Sequence, residues 1–383
     1  MGFFGKTIWV SLLALVALML PAFKSFEEIR YFQSRTMVGE PAETRAYRFD
    51  FRDSIPNDSL YQVKSRDNLP LYYFRKIQAD ICFDGKCRPL DIVLFWNITG
   101  RYLGFELPAG EYLSKSDHEP FVRGEYEHLH QILADSRSAL GGLTYNQIVV
   151  KPTGLRADLD GVTSATSTAV LDHIVKGAAY TTYKLWHIIY GSTHREVQRL
   201  TAEALSAGMV MKILESPDVS DRTWALQHTN GSVDLTPALF HKIVGMVSNE
   251  NYSLTERALH AIDPSELKSD AMQLLLLNKF KESDYAIKKL IVDKLKDAPY
   301  LGKAVRESLA NEVLTFKPDI LTRVLNAFAR HKVSDLSTSR AIAGLLKSEN
   351  AFIAKKAYDF LMDLDPGDEQ VKSLIRDYKN RQQ

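Results

Sequence analysis

Near residue 194 the hydrophobic period of this chain changes once and does not change back. Upstream, apolar residues gather in short β-prone runs. Downstream they recur every three to four positions in segment after segment: TPALFHKIVGMVSN, SLTERALHAID, DAMQLLLLNKF, DYAIKKLIVDKLKD, VRESLANEVLTF, PDILTRVLNAFARH, SRAIAGLLKSEN and AFIAKKAYDFLMDLD. Period-2 and period-3.6 patterns do not interconvert, so the chain is α+β first and all-α afterwards.

The helical half also repeats. Segments beginning near Asp221, Leu254, Asp284, Asp319 and Phe352 share a polar start followed by small and large apolar residues, at separations of 33, 30, 35 and 33 residues. That step is the size of a two-helix unit, which buries its apolar face only against its neighbours. Residues 194–383 therefore resemble the HEAT-like α-solenoids, and the resemblance implies an extended surface for a protein partner. The competing reading is an irregular helical bundle.

Before the change, residues 70–193 read as one α+β domain. LYYFRKIQADICF, RPLDIVLFWNI and RYLGFEL form an antiparallel meander, Glu119 to Ala134 a helix, and YNQIVVK (145–151) a returning strand. A long helix from about Ser167 to Tyr190 follows, interrupted near Gly177. Residues 26–69 are expected to be an irregular extension, with a short helix at 26–35 and weak strand signals after it.

Residues 1–25 read as a signal peptide or N-terminal anchor. Lys6 precedes an apolar run from Ile8 to Phe23, broken by Ser11 and Pro21. As a helix that run spans about 24 Å, short of a hydrocarbon core of about 30 Å. A positive start, a short apolar stretch and a helix breaker suit export. Export makes the location periplasmic, or anchored to the outer face of the cytoplasmic membrane. Cys82 and Cys87 flank Phe83-Asp84-Gly85-Lys86, and Asp-Gly is a strong hairpin signal. The cysteines then face each other in a non-hydrogen-bonded pair, where a disulfide fits. A redox-active pair and two free thiols are the alternatives.

Composition narrows the function. Lys plus Arg number 48 against 47 Asp plus Glu, a net charge of +1, which gives no field to attract a polyanion; nucleic acid is not an expected partner. No P-loop, GxSxG or HExxH pattern occurs, so no catalytic residue is assigned. Asp117, His118, Glu119, His128 and His130 cluster in sequence, but two histidines two apart on a helix point to different sides, and solvated surface histidines are expected rather than a metal site. Tyr180, Tyr183, Trp186, His187 and Tyr190 form an aromatic stripe at helical spacing, suited to core packing or to shielding a planar ring.

One segment carries chemistry. Asp160-Gly161-Val162-Thr163-Ser164-Ala165-Thr166 runs directly into a predicted helix. Gly161 permits a tight turn, and a hydroxyl at a helix start can seat a phosphate or act as an N-cap. This heptapeptide resembles the flavinylation motif of the FMN-binding domain family, whose pattern is Asp-Gly-any-Ser/Thr-Gly-Ala-Thr. That domain is found in the FMN-carrying subunits of sodium-pumping NADH:quinone reductase and Rnf complexes. The resemblance implies FMN joined through its phosphate to Thr166 by a flavin transferase. Asp160, Gly161, Thr163 and Ala165 match the pattern; Ser164 stands where the family has Gly. It further implies an electron-transfer flavoprotein rather than a substrate-turnover enzyme, with a redox protein partner at the membrane or in the periplasm. The other reading is a flavin-free fold that acts as an interaction module through its helical repeats.

Overall fold

The computed structural model describes residues 28–79, 89–115, 118–148 and 168–382. Its first part is a six-stranded antiparallel sheet built from β1 (Arg30–Phe32), β2 (Pro41–Arg48), β3 (Ser59–Ser65), β4 (Pro70–Ala79), β5 (Leu90–Asn97) and β6 (Tyr102–Glu106), in spatial order β1-β6-β5-β4-β3-β2. The expected meander is β4-β5-β6, registered Tyr73 to Trp96 and Leu94 to Phe105. Leu71, Tyr73, Arg75 and Ile77 of β4 alternate inward with Trp96, Leu94 and Ile92 of β5 on one buried face. Phe32, Tyr61, Tyr72, Phe74 and Phe95 pack ring against ring on the other.

Residues 26–69 depart from the expected irregular extension. They supply three of the six strands, and Arg30–Phe32 is a strand paired with β6 where a short helix was expected. The reason lies in exposure: β2 is exposed along almost its whole length, so it lacks the apolar alternation that advertises a strand.

Helices cover the buried face. α1 (Arg123–Ala134) packs on β6, and its expected start at Glu119 is delayed because Pro120 bridges Ser114 in extended backbone. Tyr145–Ile148, expected as strand, is a one-turn helix, α2. The Thr144 N–H and hydroxyl both donate to Gln147 Oε1, one half of a capping box, and this start signal outweighs the β-branched run beyond it. The long helix expected from Ser167 is divided, as anticipated, near Gly177: a short 3-10 helix (Thr168–His173) precedes Gly177, at φ +79°, and α3 (Ala179–Tyr190). Gly191 joins α3 to α4 (Ser192–Glu203) without a loop, and a Cβ there would lie 2.4 Å from the His187 carbonyl oxygen. The expected boundary at 193/194 falls inside α4, whose Thr193 and Thr201 bond to the sheet.

The remaining helices form two rows. α5 (Ala207–Ile213), α7 (Pro237–Gly245), α9 (Asp270–Glu282), α11 (Lys303–Asn311), α13 (Leu336–Gly344) and α15 (Glu369–Arg381) make one. The other is α6 (Val219–Gln227), α8 (Tyr252–Ala261), α10 (Tyr285–Lys296), α12 (Pro318–Arg330) and α14 (Ala351–Leu364). Each helix touches the next of its own row, so the array grows by stacking. The second row starts close to the five positions picked out by the sequence repeat. Side chains of Ser206, Asp218, Thr236, Asn251, Ser269, Asp284, Asp335, Asn350 and Asp368 cap the N-termini. C-terminal carbonyls are taken up by the neighbouring repeat: Asn230 donates to His260 O, Lys294 to Ile262 O and His331 to Lys296 O. No helix among the described residues is long and apolar enough to cross a membrane.

Candidate functional site

Two buried charges tie the sheet to the elements around it, and the first of them stands behind a groove. The first is Arg75, which shares the inward phase of β4 with Tyr73 and Ile77 and is wholly buried. Its Nη1 donates to Asp53 Oδ2 at 2.5 Å and to Thr193 Oγ1 at 3.0 Å, and its Nη2 to the Asn57 carbonyl at 2.9 Å. The guanidinium lies 3.8 Å from the centroid of Phe51. A buried cation needs such a set of acceptors, and here they come from the loop between β2 and β3 and from the first turn of α4. The loop itself is tightly wound. Arg52 and Ser54 have φ of 52° and 62°, supported by Asp50 and Asp53 carboxylates that accept from the N–H two residues on.

That loop and the α3–α4 corner enclose a groove of about 700 Å³. Tyr180, Tyr183, Lys184 and His187 of α3 face Asp50, Arg52 and Asp53, and Arg195 and Glu196 of α4 close one side. The volume lies in the range of small-molecule sites, and the lining mixes the rings of Phe51, Tyr180 and Tyr183 with three cations and three carboxylates. Of the aromatic stripe, only part belongs here. Trp186 Nε1 donates to Asp135 O, and Tyr190 Oη to Leu133 O, which holds those rings against α1. His187 Nε2 donates to Leu140 O at 3.2 Å, and its ring sits 4.2 Å from that of Tyr183. Burial lowers the His187 pKa, with the Leu140 carbonyl opposing, so the imidazole is neutral at pH 7.

The second buried charge is Asp221 of α6. Its carboxylate accepts from Thr36 Oγ1 (2.6 Å), Asn97 Nδ2 (2.9 Å), Thr99 Oγ1 (2.5 Å), Ser216 Oγ (2.8 Å) and the Arg101 guanidinium. Burial alone would raise its pKa, but the bonds and charge of Arg101, with Thr36 and Thr99, outweigh that and hold the group below the usual carboxylate value. The tip of the β5–β6 hairpin is thereby bolted to the helical rows. Arg75 is not singled out from the sequence, and Asp221 enters there only as the start of a repeat segment. Both carry a signal that could have been used, a charge on the apolar phase of its element.

The residues singled out from the sequence are distributed as follows. Asp160, Gly161, Thr163, Ser164, Ala165 and Thr166 lie outside the described residues, as do Cys82, Cys87 and Asp117. His130 is not a solvated surface histidine. It stacks on Tyr31 with centroids 5.3 Å apart, and its Nδ1 meets Tyr102 Oη at 3.1 Å. His128 lies on another side of α1 and His118 in the preceding loop, and no group of metal-holding side chains occurs among the described residues.

No family model matches the chain, and no curated protein matches it either.

Proposed function

We propose that this chain is an exported flavoprotein that carries FMN on Thr166 and relays electrons to or from a membrane or periplasmic redox partner. The motif Asp160–Thr166 is the basis of the reading. The observation that supports it is what the chain does immediately afterwards. Thr168–His173 packs beside Ala139–Gly142, the turn whose Leu140 carbonyl receives His187 from the groove wall. Ser138, the cap of that turn, also meets His173 at 3.4 Å. The chain that follows the motif therefore packs on the turn that bonds His187, and His187 lines a groove with room for a planar ring and two tyrosines.

The lining suits FMN. Tyr180 and Tyr183 would flank the isoalloxazine, and Lys184 and Arg195 would offset negative charge at its pyrimidine edge. Bound FMN supplies electron transfer; the chain supplies attachment, shielding and a neutral His187 beside the ring. In the same reading the two helix rows are a HEAT-like solenoid, which supports a second role as docking surface for a protein partner.

Ser164 in place of the family's Gly favours a second reading, in which the flavin has been lost and the rows serve interaction alone. The experiment is intact mass and in-gel ultraviolet fluorescence of protein exported from a host with an active flavin transferase. A fluorescent band with a mass gain of one FMN less one water is the expected result. An unmodified mass under those conditions replaces the electron carrier with the interaction module.

A further inference from the structure

β2 ends the sheet on the side opposite β1, and nothing among the described strands pairs with its outer edge. Seven of its eight residues are exposed, so it projects as a ribbon with both faces in solvent. An open edge of this length is a template for another strand, and proteins usually guard such edges with charges. The charges on this one are ordered in an unusual way. Reading from Glu40, just before the strand, to Arg48 at its end gives Glu-Pro-Ala-Glu-Thr-Arg-Ala-Tyr-Arg. About Thr44 the sequence is antisymmetric in charge: Glu43 mirrors Arg45, Glu40 mirrors Arg48, and Ala42 mirrors Ala46.

The backbone is in phase with that symmetry. Phe49 N–H donates to the Asp58 carbonyl at 3.0 Å, which makes Phe49 and Asp58 a hydrogen-bonded pair of the β2–β3 ladder. The register continues Arg48 to Ser59, Tyr47 to Leu60, Ala46 to Tyr61, Arg45 to Gln62 and Thr44 to Val63. Hydrogen-bonded and non-hydrogen-bonded pairs alternate, so Tyr47 and Arg45 bond inward to β3. Thr44, Ala46 and Arg48 therefore turn their N–H and C=O groups to the free edge. A second β2 laid antiparallel with Thr44 opposite Thr44 meets those groups in hydrogen-bonding register.

We propose that β2 is the surface through which two copies of this chain pair, edge to edge about a two-fold axis at Thr44, making one continuous sheet. In that register Glu43 of each copy lies opposite Arg45 of the other within the regular part of the strand. Arg48 of each approaches the end that carries Glu40 of the other, beyond the register shift between Pro41 and Glu43, so the charges that would guard the edge against a random strand are complementary to a second copy. Glu43, Arg45 and Arg48 have no ion-pair partner among the described residues, and Glu40 has only a long contact of 3.8 Å with the exposed Arg66. Self-pairing therefore breaks no strong interaction in the monomer. A parallel approach, or a register shifted by two, brings like charges together and is disfavoured. The contact area is small beside the roughly 1,200 Å² of a stable interface, so the dimer exchanges with monomer on dilution and weakens as salt screens the ion pairs.

The test is sedimentation of the full chain over a dilution series at low and high salt. A concentration-dependent dimer is expected, weakened by salt. Glu43→Arg places arginine opposite arginine twice and is expected to weaken the dimer by about tenfold or more. Adding Arg45→Glu to that variant restores the antisymmetry and is expected to restore the dimer, which a merely misfolded variant could not do. Thr44→Cys brings two cysteines together at a Cα separation of about 5.5 Å, within disulfide range, and is expected to cross-link under mild oxidation. Ala46→Cys, with its copies roughly 14 Å apart, is not. A chain monomeric at every concentration, a dimer indifferent to Glu43→Arg, or a dimer in which Thr44→Cys fails to cross-link would each overturn the proposal.

Discussion

Arg101 Nε and Nη2 both reach the carboxylate of Asp221, at 3.2 Å and 3.0 Å, across a sequence separation of 120 residues. One partner sits at the tip of the β5–β6 hairpin and the other in the second helix of the stacked rows. Asp221 is fully buried and Arg101 nearly so, at 16% side-chain exposure. Because Thr36, Asn97, Thr99 and Ser216 supply the remaining donors, the carboxylate is completely solvated by protein. Sheet and helices are thus joined by a polar bolt rather than by a flexible linker.

Removing one side of that bolt leaves the other buried without a partner. Asp221→Ala is expected to cost about 3–5 kcal/mol, because Arg101 and four further donors lose their acceptor at once. Arg101→Ala should cost a similar amount. Urea denaturation monitored by circular dichroism measures both. A loss below about 1 kcal/mol for Asp221→Ala would mean that water takes over the site at little cost.

The same carboxylate makes stability depend on pH with a definite sign. Its pKa is lower folded than unfolded, so the folded state binds fewer protons near the unfolded pKa. Its contribution is full above about pH 5 and is lost as pH falls through the unfolded value of about 3.9 towards the folded one. The stability gap between wild type and Asp221→Asn should therefore be constant at neutral pH and narrow in acid. Denaturation midpoints of the two proteins across an acid series check this; a gap that widens in acid would reverse the sign.

What could be read from the sequence, and what could not, follows from where each element puts its side chains. β4, β5 and β6 bury one face, so their alternation is explicit, and the helical rows bury one stripe each, so their period is explicit. β2 buries almost nothing, so its strand signal in the sequence is weak. At residues 145–148 the β-branched run that follows suggests a strand, whereas the Thr144–Gln147 start signal decides for a helix. Arg75 and Asp221 interrupt apolar faces, and a charge in that phase announces a buried partner without naming it. The partners, Asp53 and Arg101, are brought close only by the fold.

Arg75 gives a prediction of its own. Among the described residues it is the one cation bonded to Asp53, the Asn57 carbonyl and Thr193, so Arg75→Met leaves the Asp53 carboxylate half-enclosed and uncompensated. A destabilisation of about 3–5 kcal/mol is expected, together with loosening of the loop that walls the groove. Arg75→Lys should rescue little, since one ammonium cannot span three acceptors held at the reach of a planar fork. Denaturation together with limited proteolysis across residues 50–57 measures both effects. Protection of that loop unchanged in Arg75→Met would show that Ser192, which donates to the Phe51 carbonyl at 2.6 Å, holds it alone.

The proposed flavin attachment stands or falls on a hydroxyl. Phosphoester formation needs an oxygen nucleophile that a transferase can reach and that leaves the phosphate in a favourable field. Thr166 offers a hydroxyl at the end of Asp160–Thr166, two residues before the helical turn Thr168–His173. Thr163 is the nearest rival hydroxyl, but in the pattern this motif resembles the acceptor is the last threonine. Co-expression with an active transferase should therefore give covalent flavin in wild type, none in Thr166→Ala, and an undiminished level in Thr163→Ser, which keeps the Ser/Thr pattern. Ser164→Gly, which restores the family's residue, should raise occupancy. Intact mass reads all four. Flavin retained in Thr166→Ala would move the attachment to another residue, whereas flavin absent from wild type and Ser164→Gly alike would leave the helical rows as the working part of the molecule.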